Sequence, residues 1–289
     1  MKENDHLGAY IVITFSLSIV LSLFIGFTGG HESTFIWMGY LSMIIPAGAV
    51  LAMTFTYREP VSLPGRKKKI SIGWILIAIF LIPAVIHVAC IPLTAYLHNG
   101  RLPWQAWLTP DKNGFYNAPE KVGWGVLTYT QLVFKIATNA AVGLMIVSTL
   151  AFFEEIGWRA WMLPRLFKRF PVKKGIVLGA AIWAIWHIPF MLSGILYLKD
   201  ISPFQTVLIH PFGIFGAGLI INWLWLRTKS IWIVSLAHGA LNNWGQYAFK
   251  FMEDKSLNAY DQFILFTGVN ATLLVTGIII LLTLNPRRS

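Results

Sequence analysis

The stretch AAVGLMIVSTLAFF, residues 140–153, carries no charge and runs directly into EEIGWR, residues 154–159. An apolar run of this kind reads as a helix inside a membrane, and two adjacent carboxylates at its end are expensive there. Ionisable groups at membrane depth are rarely retained for packing alone. The chain has 12 acidic residues in all, and the other ten lie in polar segments. Glu154 and Glu155 are therefore the carboxylates that need a functional account.

The rest of the composition agrees with that reading. Of 289 residues, 56% are hydrophobic and 12% are charged, and the mean hydropathy is +0.64. A soluble domain carries about 25% charged residues. A net charge of +11 could suggest nucleic acid, but the basic residues cluster between apolar segments, which is the pattern of membrane topology. No nucleic-acid partner is expected. Cys90 is the single cysteine, so no internal disulfide can form and the redox compartment stays open.

Eight segments are long and apolar enough to cross a bilayer: 9–29, 34–56, 71–97, 134–160, 175–196, 204–226, 231–250 and 263–284. Each is close to the roughly 20 residues that a spanning helix needs. The expected fold is all-α, a polytopic membrane bundle of about eight helices forming one integral membrane domain over 1–289. No small-residue cleavage site follows the first segment, which therefore reads as a retained helix. With the N-terminus inside, sixteen of the 23 Lys and Arg fall on inner segments and helix ends. That bias predicts that both termini are cytoplasmic. The basic run Arg66-Lys67-Lys68-Lys69 reads as part of that topology signal. The long connection His98–Val133 contains Pro103, Pro110 and Pro119 and is expected to be largely irregular. Trp104, Trp107, Phe115, Tyr116 and Trp124 suggest that it lies in the headgroup layer.

The ionisable residues that can face the bundle interior are His87, Glu154, Glu155, Arg159, His187, His210 and His238. Asn139, Asn222, Asn242, Asn243 and Asn270 are polar neutrals at similar depth. Glu155 and Arg159 are four apart and share a helix face, so they can pair. Glu154 points about 100° away and is free for other work. His238 and Asn242 are likewise four apart. The depths of Glu154, His187, His238 and Asn242 are compatible with one cavity in the inner half of the bilayer. Such a set suits water activation: a carboxylate removes a proton from water, a histidine shares or relays it, and further donors stabilise an oxyanion. No Ser or Cys stands clearly beside a base, so covalent catalysis is the weaker route. His87 and His210 read as packing residues. For Glu154–Glu155 the bland alternative is a helix end reaching inner-surface water, and for His238 and Asn242 an interhelical hydrogen bond.

These residues carry a resemblance. Glu154-Glu155-Ile-Gly-Trp-Arg159 matches the EExxxR motif of the CAAX-protease and bacteriocin-processing family, glutamic intramembrane endopeptidases related to the Ras-converting prenyl-protein proteases. Trp183-Ala-Ile-Trp-His187 occupies that family's FxxxH position, and His238-Gly-Ala-Leu-Asn242 its HxxxN position. The motifs come in the family's order, within residues 130–250, the fourth to seventh spans. The resemblance implies that Glu154 is the general base assisted by His187, that His238 and Asn242 form an oxyanion hole, and that Glu155 and Arg159 are a supporting pair. Trp183 stands where the family usually has Phe. It looks like a pocket-wall residue whose exchange alters shape more than chemistry.

Two other function classes compete. Glu154, His187 and His238 form a two-histidine, one-carboxylate set that can bind catalytic zinc, although the leading reading needs no metal or cofactor. A non-enzymatic transporter, peptide-binding or immunity protein could use the same polar pocket. The enzyme reading implies a peptide or protein substrate, lipidated or membrane-associated, and a multi-pass location in the cytoplasmic membrane of a bacterium or the endoplasmic reticulum of a eukaryote.

Overall fold

The computed structural model describes residues 6–59, 70–97, 108–119, 122–196, 201–245 and 258–285. The Arg66–Lys69 run, Pro103, Trp104 and Trp107, and the end of the segment predicted over 231–250 lie outside them.

Among the described residues, seven helices are long and apolar enough to span a bilayer. They are α1 (Leu7–Phe27), α2 (Ile36–Tyr57), α3 (Ile72–Leu97), α4 (Tyr129–Arg169), α5 (Val172–Leu192), α6 (Pro203–Thr228) and α8 (Ala259–Thr283). The seventh predicted segment, 231–250, supplies α7 (Ile231–Trp244). The all-α polytopic expectation holds, and the one sheet described is a two-residue ladder in the long connection. There β1 (Tyr116–Asn117) pairs antiparallel with β2 (Val126–Leu127). Leu127 and Leu132 are buried behind it against Tyr116, Ala118 and Trp124.

Burial along α1 is inverted relative to a helix of a soluble protein. The inner face of α1 includes Tyr10, Thr14, Ser18 and Ser22, whereas Val12, Leu17, Val20 and Leu23 are exposed. Lipid is as apolar as leucine, so helices gain little by burying leucine; small residues and hydrogen bonds hold them together. Trp186 Nε1–H donates to Ser18 Oγ at 2.7 Å and fastens α5 to α1. His210 and Asn270 join α6 to α8 at 2.9 Å. His87 bonds the carbonyl of Pro83 within α3 at 2.7 Å, so both histidines are satisfied packing groups. A Cβ on Gly216 would run into the backbone of Leu273, which is why α6 and α8 lie so close.

Helix α4 exceeds its predicted range of 134–160 at both ends. A capping box at Thr128 and Gln131 starts it at Tyr129, a polar beginning that hydropathy passes over. At the other end it continues through Pro164 to Arg169. Two π-helical turns interrupt it, Asn139–Gly143 and Ile156–Met162.

Candidate active site

Glu154 and Glu155 are the last two residues of the regular α-helical segment Leu144–Glu155 in α4. The second π-turn begins at Ile156. Such wide turns are rare and concentrate at functional sites. Gly157 lies inside it, and a Cβ there would strike the Tyr10 hydroxyl and Pro46. Only glycine lets α1 and α2 approach the turn so closely. Trp158, Arg159, Ala160 and Trp161 are all buried, which places this part of α4 at the centre of the bundle.

Helix α7 reaches the turn because it presents no side chain to α4 where the two cross. A Cβ on Gly239 would overlap Ser148 of α4. The residue before it, His238, brings Nδ1 to 2.8 Å from Glu155 Oε1. Arg159 Nη1 donates to the same oxygen at 2.8 Å. The Glu155–Arg159 pair expected from the spacing is therefore present, and His238 joins it. Arg159 Nε donates to Asn222 Oδ1 of α6 at 3.1 Å, and Asn222 Nδ2 donates to the Ile176 carbonyl at 2.9 Å. One buried network thus ties α4, α5, α6 and α7 together.

Helix α5 carries the third motif. Its regular part ends at Trp186 and resumes at Ile188. Pro189 has no N–H to continue the ladder, and the break falls at His187. The His187 Nδ1–H donates to the Trp183 carbonyl at 2.7 Å. The ring stands edge-on to Trp183 at 5.0 Å and to Trp186 at 4.9 Å, and is half-buried. Nε2 is left for another partner.

The two carboxylates have divided their surroundings. Glu155 is 0% exposed and is held by a guanidinium and an imidazole; Glu154 is 3% exposed and accepts the Trp183 indole N–H at Oε2, 3.1 Å away. Glu154 bonds the Trp183 indole and His187 the Trp183 carbonyl. Trp183 was expected to be a wall, and it proves to be a hydrogen-bond donor as well. Asn242, one turn beyond His238, is half-buried, and Asn243 is buried. Asn243 Nδ2 donates to the Asn139 carbonyl at 3.3 Å, securing the first π-turn of α4. Among the described residues no group of three or more His, Cys, Asp or Glu is arranged to hold a metal ion. Glu154, His187 and His238 do not form such a group.

Two contributors were not singled out by motif. Asn222 was visible only as a polar residue at depth. Tyr10, from the first helix, is fully buried with its ring 4.6 Å from Trp161 and 5.8 Å from Trp158, and nothing in the sequence marked it. A separate cavity of about 480 Å³ lies between α1 and α5, lined by Ile19, Ser22, Leu23, Pro189 and Leu192 among others. The residues gathered around Glu154 are not part of its lining.

Residues 136–244 match a family model described as type II CAAX prenyl endopeptidase Rce1-like. A stretch of 113 residues is 29% identical to the CAAX prenyl protease 2 of Methanococcus maripaludis, covering 38% of this chain and 41% of that protein. The chain thus matches less than half the length of this curated relative. Glu154, Glu155, Arg159, Trp183, His187, His238 and Asn242 all fall within the residues that the family model covers.

Proposed function

We propose that this chain, whose residues 136–244 match the Rce1-like CAAX prenyl endopeptidase model, is a membrane endopeptidase working by glutamate-activated water. Its substrate is a peptide or protein chain, lipidated or membrane-associated, that enters near the cytoplasmic face.

The observation that carries the reading is the division between the two glutamates. Glu155 is fully buried and ion-paired through Oε1 with Arg159 and His238, whereas Glu154 carries no ion pair, accepts one N–H on Oε2 and keeps 3% exposure. Its Oε1 takes the proton from water as the water oxygen bonds to the scissile carbonyl carbon. The carbonyl oxygen becomes an oxyanion. When the tetrahedral carbon collapses, the C–N bond breaks and the proton passes from Glu154 to the leaving amine. His187, with Nδ1–H on a carbonyl that only accepts, offers Nε2 to the same water. His238 keeps Nδ1–H on Glu155, so it donates to the oxyanion through Nε2 only as the imidazolium, with Glu155 as counter-charge. Asn242 supplies an amide donor beside it. Arg159 and Asn222 hold Glu155, and hence His238, in place.

The test is Glu154→Gln in proteoliposomes with a farnesylated peptide ending in a CAAX sequence, alongside peptidomics of cells carrying either form. Loss of a general base is expected to lower cleavage by roughly 10²–10⁴-fold while the protein stays folded. Cleavage at the wild-type rate overturns the mechanism. Loss of cleavage with an unaltered cellular phenotype assigns the pocket to peptide binding instead.

A further inference from the structure

Trp183 is 1% exposed and meets four site residues at once. Its Nε1–H donates to Glu154 Oε2 at 3.1 Å. The Arg159 guanidinium carbon lies 4.5 Å from its ring centroid. His187 and His238 stand edge-on to it, at 5.0 Å and 5.2 Å. We propose that Trp183 is a positioning residue that pins one oxygen of Glu154 and leaves Oε1 to act as the base. The proposal rests on the reading of Glu154 as the base.

The chemistry of the indole supports this role over a direct one. Indole is a donor only, so it can neither take a proton from water nor replace the carboxylate. What it can do is fix the terminal torsion of the glutamate, which is otherwise broad and roughly two-fold. With Oε2 held, the two oxygens are no longer equivalent. A guanidinium set against Glu154 could occupy both oxygens as a fork; a single N–H occupies one.

The ring also couples the two carboxylates. Its negative face attracts the Arg159 cation, and its positive edge presents the N–H. A cation over the face and a carboxylate at the N–H polarise the ring in the same sense, and in a dry interior each contact strengthens the other. The Glu155–Arg159 pair thus acts on Glu154 through an uncharged ring. A phenylalanine here would keep an aromatic face for Arg159 and ring contact with both histidines. It would lose the donor and the volume of the second ring.

That contrast sets the experiment: Trp183→Phe in proteoliposomes with the same farnesylated CAAX-type peptide. With the N–H gone, kcat is expected to fall roughly ten- to a hundredfold, the range of a lost hydrogen bond to a charged group, with KM unchanged. A residue that only packs would lower the folded fraction and leave kcat per folded molecule intact. Wild-type kcat in Trp183→Phe, with Glu154→Gln inactive, overturns the proposal and leaves the base assignment standing. Activity in Glu154→Gln overturns the base assignment itself. Nitrogen-15 NMR of the indole groups reads the bond without activity and without the Trp183 variant. A downfield indole resonance is expected to leave its position in Glu154→Ala; if none does, the proposal falls.

Discussion

Glu155 has no exposed surface and two cationic or cation-capable neighbours, and that sets the cost of touching it. Breaking a buried ion pair from one side leaves the other charge uncompensated, typically at roughly 3–5 kcal/mol. Glu155→Gln strips Arg159 and His238 of their counter-charge together. It is expected to lower thermal stability in detergent by an amount of that order, and activity with it. Glu154→Gln removes no ion pair and is expected to cost activity with little loss of stability. Parallel melting curves of the two variants check the asymmetry. At this scale the sequence was informative wherever spacing acts locally: Glu155 and Arg159 at four residues on one helix could only face each other. Partners brought by other helices were not legible. Nothing in the chain tells that His238 meets Glu155 rather than Glu154, that Asn222 holds Arg159, or that the Trp183 indole reaches a carboxylate.

Elements place those residues by close approach, and glycine decides how close. The crossing of α4 and α7 has Gly239 against Ser148, one residue from the histidine that binds Glu155. Gly239→Val inserts a branched side chain where no space exists. Overpacking of this kind typically costs about 1–3 kcal/mol, and here it also pushes His238 away from Glu155. The expected result is a folded but less stable protein with strongly reduced cleavage, read by melting temperature and kcat on the same preparation. A valine at the open Gly48, which meets nothing within 4 Å, is the control for valine in a helix. Hydropathy found the seven helices that are long enough to span among the described residues, because a bilayer demands length and apolarity and little else. It misplaced the ends of α4, since the Thr128–Gln131 cap is polar and the helix beyond Pro164 is charged. It could not see the π-turns, whose extra residue per turn leaves no mark on composition.

Among the described residues, several charged side chains link helix ends at one end of the bundle. Glu59, just beyond α2, bonds His6 before α1 at 2.6 Å and Arg165 near the end of α4 at 2.7 Å. Lys173, at the start of α5, donates to the Leu282 carbonyl near the end of α8 at 3.2 Å. The start of α1 and the ends of α2, α4 and α8 therefore share one face of the bundle. An even number of crossings, as in the eight segments expected from the sequence, gives this pairing. The charge bias of sixteen Lys and Arg against seven proposes which face is cytoplasmic. A membrane-impermeant maleimide tests that proposal on single-cysteine proteins in which Cys90, itself buried, is replaced by Ser. Asn113→Cys lies in the exposed connection beside the small ladder and Lys174→Cys at the exposed start of α5. In intact cells Asn113→Cys is expected to label at once and Lys174→Cys only after the membrane is opened. The reverse pattern would turn the molecule over and move the proposed entry for substrate to the other side, leaving the buried network around Glu154 as it stands.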